Sequence, residues 1–331
     1  MNLKGLVIAM TVLIGFDIGG TKCAVSVGEE RDGGLNILRK RTIPTDHAVP
    51  PRLMLERLCA LAWELLAPGE VPVAAGISCG GPLDSRRGVI LSPPNLPGWD
   101  EVPATAIVSA LMRCPVALQN DANACAIAEW KYGAGVGADN LIFLTFGTGL
   151  GAGLILGGVP YTGACDMAGE VGHMRLCATG PVGYGKAGSF EGFCSGGGIA
   201  QLGRMVATEA LQMGGRVSFC AGADALADIT ARDIAECAAR GEADALRVFD
   251  LCAEKLGEGL SILIDLLNPE CIILGSIFCR CEELLRPRMQ QVIDRETLTL
   301  SRAACRILPA GLGERLGDCA ALSVAATLTR A

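Results

Sequence analysis

The sequence predicts an α/β protein built as two domains, and three observations carry that expectation. At 331 residues the chain is longer than one compact hydrophobic core usually serves, so two domains come first. A unit of strand, glycine-rich tip and return strand occurs twice, around Asp17-Ile18-Gly19-Gly20-Thr21-Lys22 and around Gly147-Thr148-Gly149-Leu150-Gly151-Ala152-Gly153. Between the two lies Asn120-Asp121-Ala122-Asn123-Ala124, where a short apolar strand meets a helix and leaves a carboxylate at the junction.

In chain order, residues 5–16 form an apolar run as long as a signal-peptide core, but it leads into the first glycine tip without a small-residue cleavage pattern. It reads as the first strand, under way by residue 12, with either Met1 or Met10 as the start. Residues 23–27 return from the tip and 35–42 extend the sheet. Two glycines permit positive φ and let backbone N–H groups approach an anion, while Thr21 adds a hydroxyl; taken alone, the segment is also an ordinary hairpin turn. Residues 52–66 have a broad apolar face and stop at Pro68-Gly69, as a helix would. A strand at 73–78 runs into Gly80-Gly81-Pro82-Leu83-Asp84. The loop Pro93-Pro94-Asn95-Leu96-Pro97-Gly98-Trp99 is rigid and exposed, the kind of segment on which binding groups are mounted. A helix at 104–113 closes the first unit, and the Cys114-Pro115 step marks a boundary.

The second unit opens with the β-compatible residues 116–119 and a run of helix formers from Ala122 to Tyr132 that stops at Gly133. Asn120 and Asp121 suit a helix cap, and Asp121 also suits a proton acceptor. After the second glycine tip no Walker lysine-serine pair follows, which excludes a P-loop, and no helix follows directly, which makes a poor dinucleotide fingerprint. Glu170 and His173 are three apart, so one helical turn puts them on the same face. Glu191 sits in the glycine-rich stretch 180–198 among Tyr184, Phe190 and Phe193. Helices follow at 198–213, after a Thr230-Ala231-Arg232-Asp233 capping box, and at 243–267. A strand at 271–274 ends in Gly275-Ser276; a helix at 282–293, a strand near 306–308 and a helix at 313–329 complete the chain.

Composition removes several function classes. Half the residues are hydrophobic and 19% are charged, which supports substantial cores and argues against disorder. A net charge of -7, with no basic run beyond Arg39-Lys40-Arg41, gives no electrostatic footprint for nucleic acid or an anionic membrane. No span of about 18 apolar residues is uninterrupted; residues 261–274 come closest and are broken by Asp265 and Asn268-Pro269. The 16 cysteines are scattered through apolar segments and read as buried, reduced thiols of a cytoplasmic protein. Cys279 and Cys281 form one close pair, a weak metal signal without a second pair or a nearby histidine.

Taken together, Asp17-Ile18-Gly19-Gly20-Thr21-Lys22, Gly80-Gly81-Pro82-Leu83-Asp84, Pro94-Asn95-Leu96-Pro97-Gly98-Trp99, Asn120-Asp121-Ala122-Asn123, residues 146–153 and Gly169-Glu170-Val171-Gly172-His173 resemble the ROK family of sugar kinases and sugar-responsive repressors. Leu316-Gly317-Asp318-Cys319-Ala320 resembles that family's ending. The resemblance implies an actin-like ATPase (ribonuclease H-like) fold: two α/β domains with a cleft between them, residues 1–115 plus 312–331 forming the N-terminal domain and 116–311 a C-terminal domain with a helical insertion. It implies that Asp17, Gly19, Gly20, Thr21 and Lys22 face ATP phosphates and Mg2+ from one domain, and Gly147, Thr148 and Gly149 from the other. Gly275 and Ser276 match the adenosine motif imperfectly, since a second glycine is usual at Ser276. Gly81, Asn95, Asn120, Asp121, Glu170, His173 and Glu191 would bind sugar hydroxyls, with Asp121 as catalytic base. Many members carry a zinc-binding cysteine motif after the histidine, and here Val182, Tyr184 and Ser189 stand at its cysteine positions. No zinc is therefore expected, and the aromatics Tyr184, Phe190 and Phe193 are expected to pack the loop instead.

The function implied is ATP-dependent phosphorylation of an aldohexose 6-hydroxyl, glucose favoured, with N-acetylmannosamine or N-acetylglucosamine as alternative substrates. A non-catalytic sugar-sensing regulator is the alternative of another class. The family's repressors carry a DNA-binding helix-turn-helix ahead of the first strand, and a strand under way by residue 12 leaves no room for one. The expected partner is a small-molecule sugar, with neither nucleic acid nor membrane; a homodimer stays open.

Overall fold

The computed structural model describes residues 10–329; the start of the apolar run at 5–9, and Met1 with it, lie outside the described residues. The chain divides into two compact units. Unit 1 holds the chain up to Val136, Pro160–Ala168 and everything from Glu314 on, and unit 2 holds Gly137–Val159 and Gly169–Gly313.

Unit 1 contains β1 (Met10–Ile18), β2 (Lys22–Arg31), β3 (Gly34–Pro44), α1 (Pro51–Leu65), β4 (Glu70–Cys79), the two-residue strands β5 (Leu83–Asp84) and β6 (Val89–Ile90), α2 (Ala104–Met112), β7 (Val116–Asn120) and α3 (Asp121–Tyr132). Its sheet runs β3-β2-β1-β4-β7. β1, β2 and β3 form an antiparallel meander, and β4 and β7 run parallel to β1. The central strand β1 is apolar without alternation because Val12, Leu13, Ile14 and Phe16 are all buried, as a strand covered on both faces requires. At the edge, Arg39, Lys40 and Arg41 of β3 put charge where another strand could otherwise add. Helix α1 buries Met54, Leu55, Leu58, Cys59 and Ala62 at helical spacing.

Although Cys114-Pro115 suggests a boundary, β7 pairs with β4 from Ala75↔Val116 to Cys79↔Asn120. Backbone pairing thus keeps β7, α3 and Asp121 in unit 1, and the chain leaves that unit only after Val136.

Unit 2 is built on β8 (Leu141–Phe146) and β9 (Leu150–Leu156), with β10 (Val159–Tyr161) beginning at its last residue before the chain passes to unit 1, and continues with the short β11 (Val182–Gly183) and β12 (Lys186–Ala187). Then come α4 (Phe190–Phe193), α5 (Gly196–Gln212), α6 (Ala231–Ala239), α7 (Ala243–Leu267), β13 (Cys271–Leu274), α8 (Ile277–Glu296), α9 (Thr299–Ala304) and β14 (Arg306–Pro309). The sheet order β10-β9-β8-β13-β14 repeats the plan of unit 1, an antiparallel β8/β9 hairpin with β13 and β14 added in parallel. The chain then returns to unit 1 as α10 (Leu316–Ala326), buried from Cys319 to Ala326.

The structure departs from the sequence pattern in three places. Gly151 and Gly153 pair with Thr145 and Phe143 as part of β9, so the second glycine tip is only Gly147-Thr148-Gly149; glycine inside a strand hides it from propensity. α8 begins at Ile277 rather than 282, with non-helical φ/ψ at Cys281 where its first turn meets the rest. The six-residue α9 is too short to show a period. All 16 cysteines are free thiols; nine are buried, whereas Cys165 and Cys279 are exposed. Among the described residues no helix is long and apolar enough to cross a membrane.

Candidate active site

In unit 1 the expected site residues converge at the carboxyl ends of β1, β4 and β7, where chain direction reverses on the same side of the sheet. Asp17 is the penultimate residue of β1, and Gly19 N donates to Lys22 O at 3.1 Å to close the tip that β2 leaves. Neither Gly19 nor Gly20 has positive φ, so the conformational reason for glycine in the tip is replaced by a steric one. A Cβ on Gly20 would lie 2.5 Å from the Asn95 carbonyl oxygen, which means the Pro-rich loop rests directly on the hairpin. Gly81 in turn backs onto the side-chain amide of Asn120.

Asn120 is the N-cap of α3, its Oδ1 accepting from Ala122 N at 2.9 Å. Asp121 is the first residue inside the helix, and its Oδ1 also accepts from Ala122 N, at 2.8 Å. Oδ2 of Asp121 makes no hydrogen bond among the described residues, and the residue is open to solvent. Dense protein surroundings nevertheless push its pKa up by desolvation, against the pull of the helix-start amides of Ala122 and Asp121 itself.

Asp17 is half-buried, and its pKa is pushed up to about 6. Burial is the largest cause; the carboxylates of Asp121 and Asp318 add to it, and Lys40 and Lys22 oppose it. Asp318, in the first turn of α10, is held by Lys40 Nζ at 2.7 Å. Asp318 and Lys40 are not legible as site residues: they are 278 positions apart, and only the packing of α10 on the sheet brings them to Asp17.

Unit 2 gathers the remaining residues around its own hairpin. Glu191 Oε2 accepts from Leu150 N at 3.0 Å, and a Cβ on Gly149 would lie 2.8 Å from that same oxygen. One carboxylate oxygen is therefore committed to the hairpin. Gly196 N donates to Gly147 O at 2.8 Å, and Ser276 stands beside Gly147 on the other side. Thr148 is exposed at the tip. Gly275 N is tied to Leu144 O at 3.0 Å, whereas Ser276 takes φ 52°, ψ −106°, a conformation suited to glycine. Glu170 precedes a single 3-10 turn, Val171–His173, so Glu170 and His173 do share one turn; both are exposed.

The loop from Val182 to Ser189 is held by hydrogen bonds. Val182, Tyr184 and Ser189 offer no zinc donor set, and Ser189 instead N-caps α4 by accepting from Gly192 N at 3.1 Å. Gln201 holds both polar atoms of the Val182 backbone, at 2.8 and 2.9 Å, and Lys186 Nζ donates to His173 O at 2.7 Å. Phe190 and Phe193 are buried as expected of packing aromatics. Tyr184 is not: it is 76% exposed, with φ 43°, and meets only the edge of His173 at 6.2 Å between ring centroids. A two-residue β11/β12 turn lifts it off the surface. Among the described residues no group of three or more His, Cys, Asp or Glu is placed to hold a metal ion.

Two α/β units on one plan, each with a glycine tip at the end of its first strand, define the actin-like ATPase fold. The ROK family pattern matches residues 13–328, and the chain belongs to the ROK family. A glucokinase of Streptomyces coelicolor is 33% identical over 267 residues, 80% of this chain and 82% of its own. A xylose repressor of Caldicellulosiruptor bescii is 30% identical over 251 residues, 73% of this chain and 61% of its own. Among solved structures, a ROK family glucokinase from Streptomyces griseus in complex with glucose and AMPPNP aligns with TM-score 0.75 and 30% identity, over 96% of this chain and 99% of that one.

Proposed function

We propose that this chain is an ATP- and magnesium-dependent hexose kinase that phosphorylates the 6-hydroxyl of an aldohexose, with glucose favoured. The observation that carries the reading is the state of Asp121: solvent-open, one oxygen uncommitted, its basicity raised by its surroundings, in the same unit as Asn95, Asn120 and the Gly19–Gly20 tip. Similarity to two glucokinases, one of them solved with glucose and AMPPNP, supports the same reading.

In this mechanism Asn95, Asn120, Glu170, His173 and Glu191 orient the sugar, since carboxylates and amides read hydroxyl positions through directed hydrogen bonds. Asp121 Oδ2 accepts the proton of the 6-hydroxyl as that oxygen becomes the nucleophile. The backbone N–H groups of the two glycine hairpins and Lys22 stand against phosphate charge. Asp17 would stand beside the magnesium that accompanies ATP, and ATP would supply the transferable phosphoryl group.

A second reading, a sugar-sensing regulator without catalysis, draws on the xylose repressor relative. A coupled assay of ADP release against glucose, mannose, N-acetylmannosamine and N-acetylglucosamine separates the readings. Sugar-dependent ADP release is the expected outcome, and the best substrate in the panel decides the sugar. Sugar binding with no ADP from any of them would transfer support to the regulator.

A further inference from the structure

The tip Gly19-Gly20-Thr21 projects past the strand ladder of unit 1, where pairing between β2 and β3 ends at Lys22↔Pro44. Such a tip would be free to flex, yet the residue that follows β3 fastens it at two points. Thr45 N donates to Thr21 O at 3.0 Å, and Thr45 Oγ1 donates to Gly19 O at 2.6 Å. Cys23 Sγ lies 3.3 Å from the same hydroxyl and 3.9 Å from Gly19 O, filling the space behind it. On the other side the tip is stopped by the backbone of Asn95.

Planarity gives these contacts a consequence for binding. The carbonyl and the N–H of one trans peptide point in opposite directions, so fixing Gly19 O toward Thr45 fixes Gly20 N–H away from it. Gly20 N–H has no hydrogen bond among the described residues. A held, unpaired amide beside Lys22 is a donor already aimed before any anion arrives, and preorganisation of that sort strengthens binding by removing the cost of ordering the loop.

We propose that Thr45 is a positioning residue for nucleotide binding, its hydroxyl and amide locking the Gly19–Thr21 tip in the form that receives phosphate. The proposal rests on the kinase reading of the same hairpin. It assigns Thr45 no contact with sugar or with the reacting atoms.

The test compares wild type, Thr45→Val and Thr45→Ser. Valine keeps the shape and the backbone amide but loses the hydroxyl, and serine restores it. Affinity for magnesium-AMPPNP is measured by calorimetry, KM for ATP and for hexose by ADP release, and stability by thermal melting. Thr45→Val should weaken AMPPNP binding and raise the KM for ATP about tenfold, the usual scale of one buried hydrogen bond. The hexose KM should stay within about twofold and serine should recover most of the loss. Wild-type nucleotide affinity in Thr45→Val overturns the proposal, as does an equal loss for sugar and nucleotide. A wild type that binds AMPPNP but phosphorylates no sugar rejects the kinase reading while calorimetry still tests Thr45. A wild type that binds no nucleotide rejects both.

Discussion

At the scale of single residues, Asn120 and Asp121 both reach the amide of Ala122, and that redundancy separates capping from chemistry. Asp121→Asn keeps a side-chain oxygen at the helix start, and with Asn120 still in place the melting temperature should hardly move. It removes the proton acceptor, so turnover should fall by about two to four decades at saturating hexose and ATP. A variant retaining a third of wild-type turnover would take Asp121 out of the mechanism. Asp17 makes a different prediction, because its folded pKa of about 6 lies above the ordinary 3.8. Folding then favours the protonated form, so the stability that Asp17 contributes at low pH is lost as pH rises between those values. A neutral Asp17→Asn should therefore unfold at higher urea concentration than wild type at pH 7.5, with the gap closing by about pH 4. At 1.36 kcal/mol per pKa unit the gain is about 3 kcal/mol as a ceiling, and roughly 1–2 kcal/mol once solvent screening of this half-buried group is allowed for. A less stable variant at pH 7.5 would show that Asp17 is held by attractive contacts rather than disfavoured by burial and like charge.

At the scale of elements, the strongest local signals transferred to the structure almost unchanged. α7 at Ala243–Leu267 and β13 at Cys271–Leu274 have the bounds that their apolar runs and breakers imply, and the Thr230/Asp233 capping box forms with both reciprocal bonds. What failed to show in sequence depended on partners distant in the chain. Glycine in the first tip is required by the approach of Asn95, some 75 residues away, and not by its own φ. The cysteine-less loop gives no hint of Gln201 as its fastening, because that contact crosses 19 residues from β11 to α5. Ser276 was legible as an oddity, and the structure supplies its physical meaning: a side chain at φ 52°, ψ −106° with no capping bond to α8. Ser276→Gly should relieve that strain by about 1 kcal/mol, raising the melting temperature by roughly 2–4 °C. Among the described residues its side chain is bonded only by Arg280, at 3.3 Å, a contact too long and exposed to offset the gain. A lower melting temperature for the glycine variant would mean that the serine contributes a contact worth more than the strain it carries.

At the scale of the whole molecule, the two units repeat one plan: an antiparallel hairpin with parallel strands added beyond it and a glycine tip at the end of the first strand. That repetition was readable because each tip interrupts a strong apolar run, whereas the assignment of β7 and α3 to unit 1 was not, since a Cys-Pro step looks the same at a domain boundary and before a strand. The assignment matters for the proposed function because it fixes Asp121 to the same sheet as Asp17 and the Gly19–Gly20 tip. On the proposed kinase reading, Asp121 acts only on the one hydroxyl that reaches it, and the proposed sugar contacts Asn95, Asn120, Glu170, His173 and Glu191 are separate groups. 6-Deoxyglucose keeps every ring hydroxyl and lacks only the reacting one, so it should bind, compete with glucose, and release no ADP above the sugar-free rate. Its inhibition constant should lie within about two decades of the glucose KM, since a hydroxyl that donates to a carboxylate contributes about 1.5–3 kcal/mol. Phosphorylation of 6-deoxyglucose would move the reaction to another hydroxyl and dismiss the 6-position. A regulator, by contrast, would bind both sugars alike and turn over neither, so the glucose lane of the same experiment distinguishes a blocked kinase from a protein that never transfers phosphate.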